Sequence, residues 1–337
     1  MRNILCVTLI ALLGGCTSTS VTEKYQDKRN DIINVKDKVI EFETGNVLIG
    51  SVSRLYMSNK CLLIADHKSV DKQIHIFNKN DFSYLTSIGN FGEGPEEITV
   101  MGCLAIDEAH HQLYVSDHAK QKIFSYDMDS VMVDSLYKPQ VKTAMNETLF
   151  PSEYQYINDT LSIAVLIKPT STSTFNQFLG RWNMNTGEMI PMKYTHPDIQ
   201  KKRITFAASE KAGIYVECYT RHDLMTICSL DGELLYNIYG PDWDGGNGNK
   251  LQSFGTVMIG NDKIFVSYCG EDYARDSFPT KILVFDLEGN YLKTLETGYK
   301  ISDCCYDSFN NRIILSLNDV VQFAYLAVSY THLTLPT

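Results

Sequence analysis

The chain has 337 residues, 44% of them apolar and 21% charged, with 30 Lys and Arg against 40 Asp and Glu for a net charge of -10. Such a composition suits a sizeable globular body and excludes a disordered, collagenous or multi-span membrane protein, and the acidic balance removes the electrostatic basis for binding nucleic acid. Twenty Tyr and fifteen Phe against two Trp, with no long amphipathic helical stretch, point to aromatic-rich β-structure.

Arg2 precedes an apolar run over 4–13 that is too short to cross a bilayer, and Leu13-Gly14-Gly15-Cys16 follows at once. Residues 1–15 read as a signal peptide. The Leu-Gly-Gly-Cys end resembles a bacterial lipobox, which implies that Cys16 becomes the lipidated N-terminus and that the membrane is met through this anchor only. Residues 16–37 are polar and aperiodic, so they read as that Cys and a flexible tether, and deletion within 17–30 is expected to change melting little.

From residue 38 a rhythm begins. Six times a short strand, a tight polar turn and a stronger β-branched or aromatic strand recur, and the second strands begin at Leu62, Leu113, Leu161, Ile214, Ile264 and Ile313, spaced by 51, 48, 53, 50 and 49 residues. Turns centre on pairs such as His110-His111 and Asn310-Asn311, residue types that accept turn geometry. A second hairpin follows each of the first five, with Asp231-Gly232 and Glu288-Gly289 as the clearest turns. Four strands per period of about fifty residues predict an all-β, six-bladed β-propeller of four-stranded antiparallel blades over 38–327. The sixth unit stops one strand short, and 39–43 (VIEFE) has no local partner. An N-terminal strand is therefore expected to close the ring as the outer strand of blade six.

Residues 328–337 (VSYTHLTLPT) fit no part of the repeat and resemble a translated sequencing adaptor, so this tail is expected to be non-native. Seven cysteines lie beyond Cys16, and adjacent Cys304 and Cys305 should face opposite ways on a strand. Their apolar settings favour small buried hydrophobes, with a Cys218–Cys228 hairpin disulfide as the one pairing to test. No spacing suits zinc, no cofactor motif is present, and no metal ligand set or catalytic residue is assigned.

The segment GNFGEGPEEI at 89–98, with LAID and LYVSD after it, resembles the inter-blade segment of NHL-type propellers. The body is similar to the six-bladed, TolB-like propeller lipoproteins of Bacteroidales. The resemblance implies fold and envelope location, in the outer membrane on its periplasmic or surface face, and assigns no chemistry.

In such a ring the D-to-A and B-to-C connections share one face, where binding loops are expected. Candidate binding residues on 89–97, 138–152, 239–250 and 269–280 are Glu93, Glu96, Phe150, Asp242, Trp243, Asp244, Tyr273 and Phe278, with Trp243 expected as an exposed aromatic anchor. Asp66 and Asp117 end equivalent strands, each followed by a His, and should cap the next turn. Asp-Ser/Thr-aliphatic triplets make Ser130, Ser135 and Thr160 candidate O-glycosylation sites. The reading is an envelope-anchored binding or scaffold propeller for a glycan, a peptide or an envelope protein. The alternative is a metal-dependent, gluconolactonase-like hydrolase, because Glu93-Gly94-Pro95 resembles the start of those enzymes, in which a Glu of this segment ligates a central metal.

Overall fold

Six antiparallel sheets stand around a common axis in the computed structural model, which describes residues 22–328 apart from 135, 201 and 249. Blade one is Ser53–Met57, Cys61–Asp66, Lys72–Asn78 and Tyr84–Asn90, named A to D from the axis outward. Blades two to five repeat this order from Met101, Phe150, Ile204 and Leu251. Blade six joins Ile301–Asp307, Arg312–Leu317 and Phe323–Ala327 to Val39–Glu41. That N-terminal strand runs antiparallel to the last one, with Val39 opposite Leu326 and Glu41 opposite Ala324, so the ring closes as the sequence predicts.

Inner strands are sandwiched between neighbouring blades, so both of their faces must be apolar. In Cys61–Asp66 every residue is buried, with Cys61, Leu63 and Ala65 turned toward blade two while Leu62 and Ile64 face blade six. Six apolar clusters result, one for each blade interface. Cys304 and Cys305 split between the two clusters that flank blade six. Cys218 pairs across its hairpin with Met225, and Cys228 with Tyr215, so the two thiols lie on opposite faces of blade four and the disulfide is excluded. The tight turns are built as expected: His111 and Asn311 adopt positive φ of 52° and 49°.

Three expectations need correction. First, the second hairpin of blade two is not a tight one: its outer strand, Gln140–Ala144, follows Lys122–Asp127 only after a helix. Met128–Val133 is a helix, because Asp127 accepts the Ser130 N–H at 2.7 Å as an N-cap and Val131 drops into the blade one–two cluster. The supposed loop 138–152 is therefore largely strand. Second, the packed body reaches one residue past the expected bound at 327, since Val328 lies in the blade five–six cluster. Third, the described part of the tether is docked. Glu23–Tyr25 adds a parallel fifth strand to blade four, and Ile32–Asn34 does the same to blade five.

Between these two strands Arg29 enters the ring and binds Asp223 at 2.8 Å, with side chains 7% and 0% exposed. Its guanidinium also sits within 6 Å of the Phe254, Tyr268 and Phe285 ring centres. Tyr25 stacks on Tyr239 at 4.5 Å. Residues 22–41 thus form a strap over the outer edges of blades four to six. Removing Arg29 strands a buried carboxylate, which costs roughly 3–5 kcal/mol. Arg29→Ala should lower the denaturant midpoint accordingly, whereas Lys28→Ala, at an exposed neighbour, should leave it unchanged.

Candidate functional site

The first strands of the six blades enclose an axial channel of about 1310 Å³. At the mouth formed by the D-to-A and B-to-C connections, blades one to three contribute Arg54, His67, Lys68, His118 and Glu153. Blades four to six contribute Thr205, Thr220, Gln252, Phe278, Ser302 and Asn318. One half of the rim is charged or imidazole-bearing and the other is neutral and polar. The opposite end is apolar, lined by residues such as Met57, Ile106, Ile157 and Ile259.

Arg54 and Glu153 meet at 2.7 Å with side chains 47% and 38% exposed. They belong to blades one and three, and the pair spans blade two because that blade presents Gly102 there. A Cβ on Gly102 would stand 2.4 Å from His118 Nε2 and 2.8 Å from Ser116 Oγ, so the missing side chain makes room for the imidazole. His67 and His118 are placed by the carboxylates that precede them. Asp66 accepts the Lys68 and Gly50 N–H groups at 2.9 and 2.7 Å, and Asp117 those of Ala119 and Thr99 at 2.9 and 2.8 Å. The expected turn capping is present, and each Asp also ties down the preceding D-to-A connection. Both Nε2 atoms are buried without a hydrogen-bond partner among the described residues. Burial pushes both imidazoles below their ordinary range, and for His67 the Arg54 charge adds to it.

Deeper in the channel, Asp303 accepts Leu55 N–H at 2.8 Å and Thr256 Oγ1–H at 2.7 Å, which clips blade six to both neighbours. Its carboxyl is pushed up by burial. Cys103 also lines the channel, but burial pushes its thiol up to about 12, and it accepts the Tyr154 N–H at 3.3 Å. It is a packed thiol and no nucleophile.

The loops picked from sequence lie around this mouth and mostly outside it. Phe278 lines it. Tyr273 is exposed with the Arg221 guanidinium 3.2 Å from its ring centre, and Phe150 is half-buried beside His118. Glu93 is exposed away from the channel, and Glu96 pairs with Lys138 at 2.8 Å. The 89–97 turn is held by Lys120, whose ammonium donates to the Gly94 carbonyl at 2.6 Å, and by Glu97, which accepts Gly94 N–H at 2.8 Å. Asp242 is exposed, and Asp244 accepts Gly248 N–H at 2.6 Å, closing the 242–248 loop on itself. Trp243 does not stand out as an anchor: it packs down on Tyr239, His196 and His222 with ring centres 5.0, 5.7 and 5.9 Å away.

Ser130 lies on the short helix and Thr160 in an exposed turn on the opposite face, its hydroxyl on Asn158 at 3.1 Å. Cys16, Ser135 and 329–337 fall outside the described residues. Asp107, His110 and Asp159 also gather on that far face, where Asp107 is engaged by the His110 ring at 2.8 Å and Tyr114 OH at 3.2 Å. Sequence reasoning missed Arg54 and Glu153. The signal available was the single charged residue in each of the first strands Ser53–Met57 and Phe150–Asn158.

Residues 17–176 match the DUF5128 family model, described as a 6-bladed beta-propeller. No curated protein matches the chain. Among solved structures, a member of the DUF4221 family from Bacteroides vulgatus is similar, with a TM-score of 0.59 at 10% identity over 89% of this chain and 98% of that one. A Bacteroides fragilis protein inferred to be exported gives 0.56 at 13% identity, covering 87% of each chain. The Cps50 (Swd1) propeller domain of Myceliophthora thermophila gives 0.54 at 10%, covering 86% and 99%. At these identities the likeness is one of fold: this chain is a six-bladed β-propeller.

The histidines make stability depend on pH with a definite sign. His67 and His118 titrate below 6.5 when folded, so the folded state resists their protonation. Their contribution is complete above pH 6.5 and is lost as pH falls through the depressed values. Melting temperature should fall between pH 7.5 and pH 5, and the His67→Gln/His118→Gln double variant should show a shallower fall over the same window.

Proposed function

We propose that this protein is a lipid-anchored envelope component whose propeller binds a ligand at the polar mouth of its channel. The lipobox-like Leu13 to Cys16 and the likeness to an exported Bacteroides fold support the location. The observation that carries the binding reading is the open channel of about 1310 Å³ whose polar rim holds the half-exposed Arg54–Glu153 pair. A cavity with a few accessible, preplaced polar groups at its mouth is the usual form of a ligand site. Glycan, peptide and envelope protein all remain within this reading.

The hydrolase alternative needs several convergent carboxylates or amides for a divalent cation. The two carboxylates of the channel are committed, Glu153 to Arg54 and Asp303 to Leu55 N–H and Thr256, and a guanidinium stands where a cation would have to approach. Glu93, the residue that the resemblance would assign to the metal, is outside the channel. The residues present do not fit that metal.

Two experiments test the proposal. Cys16→Ala should move the folded protein from the membrane to the soluble fraction, and retention after carbonate washing would refute the anchor. Thr205→Trp narrows the mouth without touching the charged half. A soluble glycan, peptide or envelope protein that raises the melting temperature of the natural chain should no longer do so in this variant. An undiminished shift would move binding away from the channel.

A further inference from the structure

We infer that the mouth is a saccharide site that reads a carboxylate, the acid group of the sugar docking on Arg54 beside Glu153. The inference rests on the reading of the mouth as a ligand site and names its substrate class.

Arg54 is half exposed and hydrogen-bonded to Glu153 through Nη1, which leaves further donors of its planar fork for a second acceptor. Glu153 fixes the guanidinium and sets a condition. It repels a bare anion, yet its carboxylate accepts hydrogen bonds, so the pair as a unit suits a molecule that offers a carboxylate beside a hydroxyl. An acidic sugar has that pattern. A neutral sugar offers the free guanidinium donors no charged second acceptor, and a simple carboxylate offers Glu153 no hydroxyl beside its bond from Arg54.

The surroundings agree. His67 and His118 line the same quarter of the rim with their Nε2 atoms covered, the His118 ring filling the space over Gly102, so of the three residues Arg54 has the accessible donors. Across the mouth, Thr205, Gln252 and Ser302 offer hydroxyl and amide groups suited to further sugar hydroxyls, and the exposed ring of Phe278 offers a flat apolar surface for a pyranose face. A peptide would call for apolar side-chain niches, but apart from Phe278 the apolar lining lies deep in the channel and at its far end. The volume of about 1310 Å³ exceeds the ~300–1,000 Å³ of ordinary small-molecule pockets, so several sugar units fit.

Calorimetric titration of the whole mature chain with trimers of galacturonate and of glucuronate, each beside its methyl ester, tests the inference, with N-acetyl-trialanine as the peptide carboxylate. One acid trimer should bind at least about tenfold more tightly than its ester, as expected for one lost charge-assisted hydrogen bond. Arg54→Lys should erase that preference while circular dichroism and melting stay near the natural values, and Arg54→Met/Glu153→Met should erase it without leaving either charge unpaired. Equal binding of acid and ester would overturn the carboxylate reading and leave the channel a sugar site. Binding of the tripeptide alone would overturn the saccharide class. If neither trimer binds better than its ester and the tripeptide is silent, this inference fails, while the Thr205→Trp comparison still decides whether the channel binds anything.

Discussion

Packing of blade against blade is the interaction on which the rest depends. Each inner strand carries apolar residues on both faces, so no blade can stand alone in water, and each of the six clusters is completed only by the next sheet. A ring is the arrangement that leaves no face uncovered. Its most demanding contact is the seam between blades six and one. There Phe42 stacks on Phe82 at 3.8 Å, Arg312 reaches Asp307 at 3.1 Å and the Lys79 carbonyl, and Ser53 meets Ser316 at 3.1 Å.

The same constraint builds the channel. Because the interfaces lie between blades, the innermost strands are relieved of core duty on the side facing the axis and can carry charge there. Asp303 uses that freedom structurally, holding blades five, six and one in register. Arg54 and Glu153 use it chemically, joining blades one and three over the gap at Gly102.

The repeat rhythm, the closing strand and the role of Asp66 and Asp117 were legible because they follow from local pattern: strand periodicity, turn residues and an orphan strand. The strap was not, since Glu-Lys-Tyr and Ile-Ile-Asn are too short to announce a strand inside a polar stretch, and their partners lie more than two hundred residues away. The site was half legible. Choosing the correct face required only strand direction, but the alternation along Ser53–Met57 does not say which side looks inward, and Glu153 is 99 residues from Arg54. Trp243 misled because a Gly-rich loop between carboxylates reads as solvated, while the His196 and His222 rings that receive it come from other loops.

The closing strand has a consequence for how the molecule comes into being. Val39–Glu41 leaves the ribosome long before its partner Phe323–Ala327, so blade six cannot form until all five other blades have been made. Until then blade one lacks the cover for Leu55, Leu62 and Phe77, although the strap can already pair with the outer strands of blades four and five. Contacts of such long sequence separation make for slow folding, and the waiting strand edges are open to pairing with other chains. The folding of this ring is therefore timed by Phe323–Ala327, and a chain that loses this strand loses the seam and with it the geometry of the mouth.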